Sequence, residues 1–198
     1  MSARSRTGAV VLALHLLGSV ATAGQPATEE QEELLRQGEV LFSVDAGDRS
    51  GLPLFRAAAV IDCPRPEVWR VINDYNRLKE IIPGIVESRI ERVEDNAVYF
   101  YEEDDVPILK NTRLLLRCVH DDPNFRKTMS LVEGSVRSLE ASWALEPFDR
   151  DRTLAVYTLR TDPGFYVPLW LQKTAAKKTV RGFFRGVRKA ACAHEEAR

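Results

Sequence analysis

Only three cysteines, three histidines and two methionines occur in the 198-residue chain, and their scarcity narrows the chemistry before any pattern is read. A metal centre needs clustered Cys, His or carboxylate ligands at defined spacings, and the sequence holds no CxxC pair and no HExxH. The GxSxG nucleophile turn, the GxxxxGK[ST] phosphate loop and the GxGxxG dinucleotide fingerprint are also missing. No catalytic residue and no cofactor is therefore assigned. Charge of one sign is not in excess either, since 28 Lys+Arg face 29 Asp+Glu for a net charge of -1. Nothing in that total attracts nucleic acid.

Long hydrophobic runs are scarce as well. The apolar stretch from Ala9 to Leu17 is shorter than the ~20 residues that span a bilayer. It follows Arg4 and Arg6 and precedes Ala21-Thr22-Ala23, the small-x-small pattern of a signal peptidase site. Residues 1–23 read as a cleaved signal peptide, which makes the protein periplasmic or secreted. The alternative is an uncleaved anchor, and both place the rest of the chain on the same side of the membrane. Export permits disulfides. Cys63 and Cys118 lie in apolar, strand-like contexts, and buried free thiols are preferred there over a bridge between the two.

What is present is an ordinary globular composition, 44% hydrophobic and 29% charged. Residues 24–37 form a polar, acidic lead-in with one helical turn near Leu34 and Leu35. From residue 38, Val40–Val44 and Phe55–Ile61 read as two strands joined across a turn at Asp45–Gly51. The period then changes. Pro66 opens a helix whose stripe of Val68, Trp69, Ile72 and Tyr75 extends through Leu78 and Ile82 to a stop at Pro83-Gly84. About six further strands follow between Ile85 and Asp162. The cleanest has Leu139, Ala141, Trp143 and Leu145 alternating with polar neighbours, as in an antiparallel sheet with one covered face. Pro168 opens a last helix with Ala176, Val180, Phe183, Phe184, Val187 and Ala191 at three- and four-residue steps. Seven Lys and Arg residues fill its other face, and no acid occurs between Asp162 and Glu195.

These elements predict an α+β domain over residues 38–193, with an antiparallel sheet covered by a helix about 35 Å long. Ligands commonly sit in the cleft such an arrangement leaves. Trp143, Leu145, Tyr157 and Leu159 are expected on the apolar sheet face, with Val180, Phe183 and Phe184 opposing them from the helix. Tyr157 and Lys127 are the inward polar candidates. His120, before Asp121-Asp122, is read as a surface histidine capping a turn rather than an acid/base group, and His194 as part of a frayed terminus. Glu102-Glu103-Asp104-Asp105 is read as a solvated loop, because adjacent carboxylates on a strand would face opposite sides.

Four segments resemble the START-like (SRPBCC) superfamily of helix-grip proteins, in its polyketide cyclase/dehydrase and coenzyme-Q-binding branch. They are the strand-to-helix stretch Ala58–Trp69, Asp74-Tyr75 with Ile82-Pro83-Gly84-Ile85, Trp143-Ala144-Leu145-Glu146-Pro147, and Asp162-Pro163 with Val167-Pro168. The likeness covers residues 38–192. It implies a curved antiparallel sheet wrapped around the long C-terminal helix, with a cavity for a lipid, isoprenoid or quinone-like ligand lined by the seven apolar and aromatic residues named above. The expected function is that of an exported hydrophobic-ligand binding or carrier protein. The alternative is a cyclase or dehydratase acting in the same cavity. The basic face of the helix adds peripheral contact with an anionic membrane as a possible second partner.

Overall fold

The computed structural model describes residues 28–45 and 50–193. The expected signal peptide at residues 1–23, the start of the lead-in and His194 lie outside the described residues. Thr28 opens helix α1 (Glu29–Arg36) with a reciprocal cap. Its hydroxyl accepts from the Gln31 amide at 3.2 Å while its own amide donates to the Gln31 side chain at 3.1 Å. Three glutamates in the first turn suit the positive end of the helix. The lead-in is thus a two-turn helix, and Leu35, 1% exposed, docks it on one face of the sheet against Ala58, Val60 and Val156.

Strands β1 (Leu41–Asp45) and β2 (Leu54–Ile61) pair antiparallel, as the alternation predicts. β2 is buried on both faces. Ala57, Ala59 and Ile61 face the main core while Ala58 and Val60 face α1, which is why its sequence runs apolar without alternating. The remaining strands are β3 (Ile85–Glu94), β4 (Ala97–Asp104), β5 (Thr112–Asp121), β6 (Arg126–Gly134), β7 (Ser138–Pro147) and β8 (Thr153–Asp162). They form one eight-stranded sheet in the order β1-β2-β8-β7-β6-β5-β4-β3, with every pairing antiparallel. Register shifts in β3 and between β5 and β6 bend and twist the ladder locally.

Between β2 and β3 the chain must cross from one side of the sheet to the far edge. The single helix expected from Pro66 to Pro83 is instead α2 (Arg65–Ile72), a 3₁₀ turn (Tyr75–Arg77) and the short α3 (Leu78–Ile81). The break lets each half serve a different core. Val68, Val71 and Ile72 pack beneath the C-terminal helix, whereas Tyr75, Leu78 and Ile82 join Phe100, Leu114 and Leu116 under β4 and β5.

The last helix, α4 (Leu169–Cys192), runs across the concave face and buries Val180, Phe184, Val187 and Ala191 along one stripe. At Gly186 it passes so close to α3 that a Cβ would collide with the Ile81 carbonyl oxygen. Gly186→Ala should therefore lower stability by about 1–3 kcal/mol through overpacking. A urea titration of the variant checks this, and an unchanged midpoint would refute the tight crossing.

The reading of buried free thiols holds for Cys118 and fails for Cys63, and the alternative Cys63–Cys118 bridge is not formed. Cys63, just past β2, and Cys192, the last residue of α4, form a disulfide with Cα atoms 5.9 Å apart. Cys118 is buried and free. It lies on β5, separated from β2 by β8, β7 and β6, so it could not reach Cys63. The strand-like setting of Cys63 gave no hint that the distant helix end returns to it.

Candidate ligand cavity

A space remains where α4 bridges the curved sheet, and it has two adjoining lobes. The outer lobe, about 620 Å³ of atom-free space partly open to solvent, lies between the first half of α4 and the β4–β5 connection. Its lining includes Phe55, Val106, Leu109, Val167, Ala176 and Val180. The deeper lobe, about 870 Å³ counted the same way, reaches under β4 and β5 to Tyr75, Phe100, Leu116 and Trp143. Tyr157, Leu159, Thr179 and Phe183 border both.

Of the seven residues expected at the cavity, five line it: Trp143, Tyr157, Leu159, Val180 and Phe183. Leu145 and Phe184 do not. They are 1% and 0% exposed and fill solid core behind the cavity. Phe184 sets its ring edge-on to Trp143 at 5.6 Å, supporting the wall rather than forming it. The two lie toward the end where α2 also closes on α4 and the sheet.

The deeper lobe has a polar pole that the sequence reading misplaced. Glu102 and Asp104 do not belong to a solvated loop. They are the inward residues of β4, continuing the set begun by Val98 and Phe100, and both line the lobe. Residues at i and i+2 on a strand share a face. Glu103 points the other way, accepting from the Tyr101 hydroxyl at 3.1 Å and lying 3.6 Å from Arg113. On that outer face Arg89 and Arg92 stack over Tyr101 and Tyr99 at 4.1 and 3.8 Å. Burial holds the Asp104 carboxyl up to about 6. Burial, reinforced by the Asp104 charge and a hydrogen bond between the two side chains, raises Glu102 well above the usual carboxylate range. The pair therefore keeps a proton near neutrality.

Lys127 enters the same lobe from β6 and is 3% exposed. Its ammonium donates to the Ile72 carbonyl at 2.5 Å and to the Tyr75 hydroxyl at 3.3 Å, and burial pulls its pKa down to about 8. The Tyr75 hydroxyl lies 2.7 Å from His120 Nε2 and 3.1 Å from Cys118 Sγ. His120 is thus no turn cap. It ends an inward chain of polar contacts leading to Lys127, and burial, with the Lys127 charge, lowers its pKa. The neighbouring Trp69 packs on Phe125 and donates to Asp122 at 3.0 Å, holding α2 to the sheet away from the ligand space. Among the described residues no three His, Cys, Asp or Glu side chains cluster to hold a metal.

The profile of the polyketide cyclase / dehydrase and lipid transport family matches residues 61–188. The chain belongs to that family. No curated protein matches it in sequence. Solved structures share its fold at low identity. The STAR-related lipid transfer protein of Xanthomonas axonopodis superposes with a TM-score of 0.63 and 19% identity, over 77% of this chain and 93% of that one. Human StAR-related lipid transfer protein 5 gives 0.65 and 13% over 80% and 84%. The Zhui aromatase/cyclase of Streptomyces sp. R1128 gives 0.59 and 16% over 73% and 94%. The helix-grip architecture and its family are thereby shown, and with them a fold suited to hydrophobic ligands. Chemistry on this fold must be argued from the cavity itself.

Proposed function

We propose that this family member is an exported carrier that shields a lipid-like, isoprenoid or quinone-like molecule from water between the sheet and α4. One observation carries the reading: a two-lobed cavity walled almost entirely by apolar and aromatic side chains. Apolar ligand surface entering it gains about 25 cal/mol per Å² before the costs of association. Export is supported by the arginine, apolar and Ala21-Thr22-Ala23 pattern of residues 1–23. The Cys63–Cys192 disulfide also suits an oxidising compartment. Native mass spectrometry of protein purified from a membrane-containing source, followed by organic extraction, should find a stoichiometric lipid. An empty cavity that also ignores titrated quinones and fatty acids would sink the proposal.

Loading from a membrane is supported at the rim. Phe165, Tyr166, Leu169 and Trp170 are exposed by 57, 89, 46 and 68% beside the outer lobe. Lys173, Lys177 and Arg181 continue the Trp170 stripe along α4 at three- and four-residue steps. Aromatic insertion beside basic charge suits an anionic bilayer. Flotation with phosphatidylglycerol vesicles should retain the protein. Trp170→Ala or raised salt should release it, and equal retention on phosphatidylcholine would refute this surface.

A second reading, cyclase or dehydratase activity, is favoured by one observation. Glu102, Asp104 and Lys127 bring a proton donor and acceptors to the ligand space. Chemical analysis separates the two readings, since a carried molecule is recovered unchanged after incubation and a substrate is not.

A further inference from the structure

We propose that Glu102, Asp104 and the Tyr157 hydroxyl form a head-group site for the alcohol end of an amphiphilic ligand whose apolar remainder fills the outer lobe. This deepens the carrier reading and rests on it. Tyr157 is the independent sign that something binds there. It is 6% exposed and borders both lobes, yet its hydroxyl has no hydrogen-bond partner among the described residues. Its ring is fixed by Trp143 at 4.9 Å and Phe183 at 5.8 Å, so the hydroxyl cannot swing out to solvent. The hydroxyl opens onto the cavity rather than onto packed protein atoms, so a ligand atom placed beside it can pair with it.

The hydrogen-bonding inventory of the pole selects the head. An alcohol has one donor and free lone pairs, so it donates to the carboxylate pair and accepts from Tyr157. An ether lacks the donor. A carboxylate head would meet the charge of the acid pair, and an ammonium head would meet Lys127 in the same lobe. Lys127 is held by Ile72 and Tyr75 and makes no hydrogen bond to the pair, though its charge acts on Glu102 through the lobe. With one charge of each sign in the lobe, a neutral head leaves the fewest groups unpaired. Sites built to hydrogen-bond a hydroxyl discriminate strongly against analogues that lack it.

The test uses 1-dodecanol, dodecyl methyl ether and dodecanoate, titrated at neutral pH with Trp143 fluorescence as the signal and calorimetry as a check. Wild type should bind the alcohol about tenfold tighter than the ether or the carboxylate. Tyr157→Phe and, separately, Asp104→Asn should bring the alcohol-to-ether ratio to below about threefold, with near-ultraviolet circular dichroism confirming an intact fold. Equal binding of alcohol and ether by wild type overturns the head-group site while leaving the carrier reading intact. A ratio unmoved in both variants overturns the assignment to these residues. Failure of all three ligands to bind overturns both readings.

Discussion

Replacing Cys192 by serine is expected to cost about 2–5 kcal/mol of unfolding free energy. The Cys63–Cys192 bridge spans a sequence separation of 129 residues and ties the end of β2 to the end of α4. Cross-linking so long a loop removes much of the freedom of the unfolded chain, and the predicted gain grows slowly with loop length. Urea unfolding of wild type and Cys192→Ser gives the difference directly. Reductant should bring wild type down to the variant's midpoint and leave the variant unmoved, which separates the bridge from simple packing at position 192. Thiol counting is a second reading of the same claim. The denatured, unreduced protein should show one reactive thiol, Cys118, and three after reduction. Three thiols without reductant would disprove the bridge.

Asp104→Asn is expected to stabilise the protein at neutral pH. Asp104 titrates near 6 in the folded state against an ordinary carboxylate value of 3.8. Between those values the folded chain holds a proton that the unfolded chain has released. Its contribution is therefore complete below about pH 4 and lost as pH rises through about 6, with a slope reaching about 1.4 kcal/mol per pH unit. Glu102 shifts in the same direction and extends the loss further. Asparagine has nothing to ionise, so the variant and wild type should converge near pH 4 and separate in the variant's favour by pH 7. Lys127 has the opposite sign. Its pKa, lowered from 10.5 to about 8, makes stability rise with pH across that interval. Urea midpoints from pH 4 to 10 measure all of this, and a variant-minus-wild-type difference that stays flat between pH 4 and 7 would falsify the buried pair. Stability sacrificed at this pole is what a polar site inside an apolar cavity costs.

Much of the fold could be read from local pattern. The Asp95-Asn96 turn sits between β3 and β4, and the Leu139–Leu145 alternation became β7. The buried stripe of α4 follows the apolar positions of its sequence. These features depend on neighbours within a few residues. Harder to see was the break at Asn73-Asp74, because an apolar stripe with helical spacing continues through it. Only the presence of two separate cores explains why the chain turns there. The acid pair was legible in principle, since Val98, Phe100, Glu102 and Asp104 share one period-two face. A run of four carboxylates nevertheless outweighed that pattern, because charge normally marks a wet surface. Lys127 reads as inward in the sequence and lies in the lobe, but His120 has no local signal of burial, and neither shows its partner. Their partners, Tyr75 and Ile72, lie 45 and 55 residues away in the chain.

By itself the sequence determined the helix-grip family, the antiparallel sheet with its covering helix, and five of the side chains that border the cavity. Hydrophobic period is a local property, and it survives folding unchanged. Tertiary structure alone decided which cysteines meet, where the cavity ends in solid core at Leu145 and Phe184, and that two carboxylates and a lysine face one apolar space. Those facts depend on where β4 and β6 lie in the sheet and how closely α4 seats at Gly186. No window of sequence contains distances of that kind.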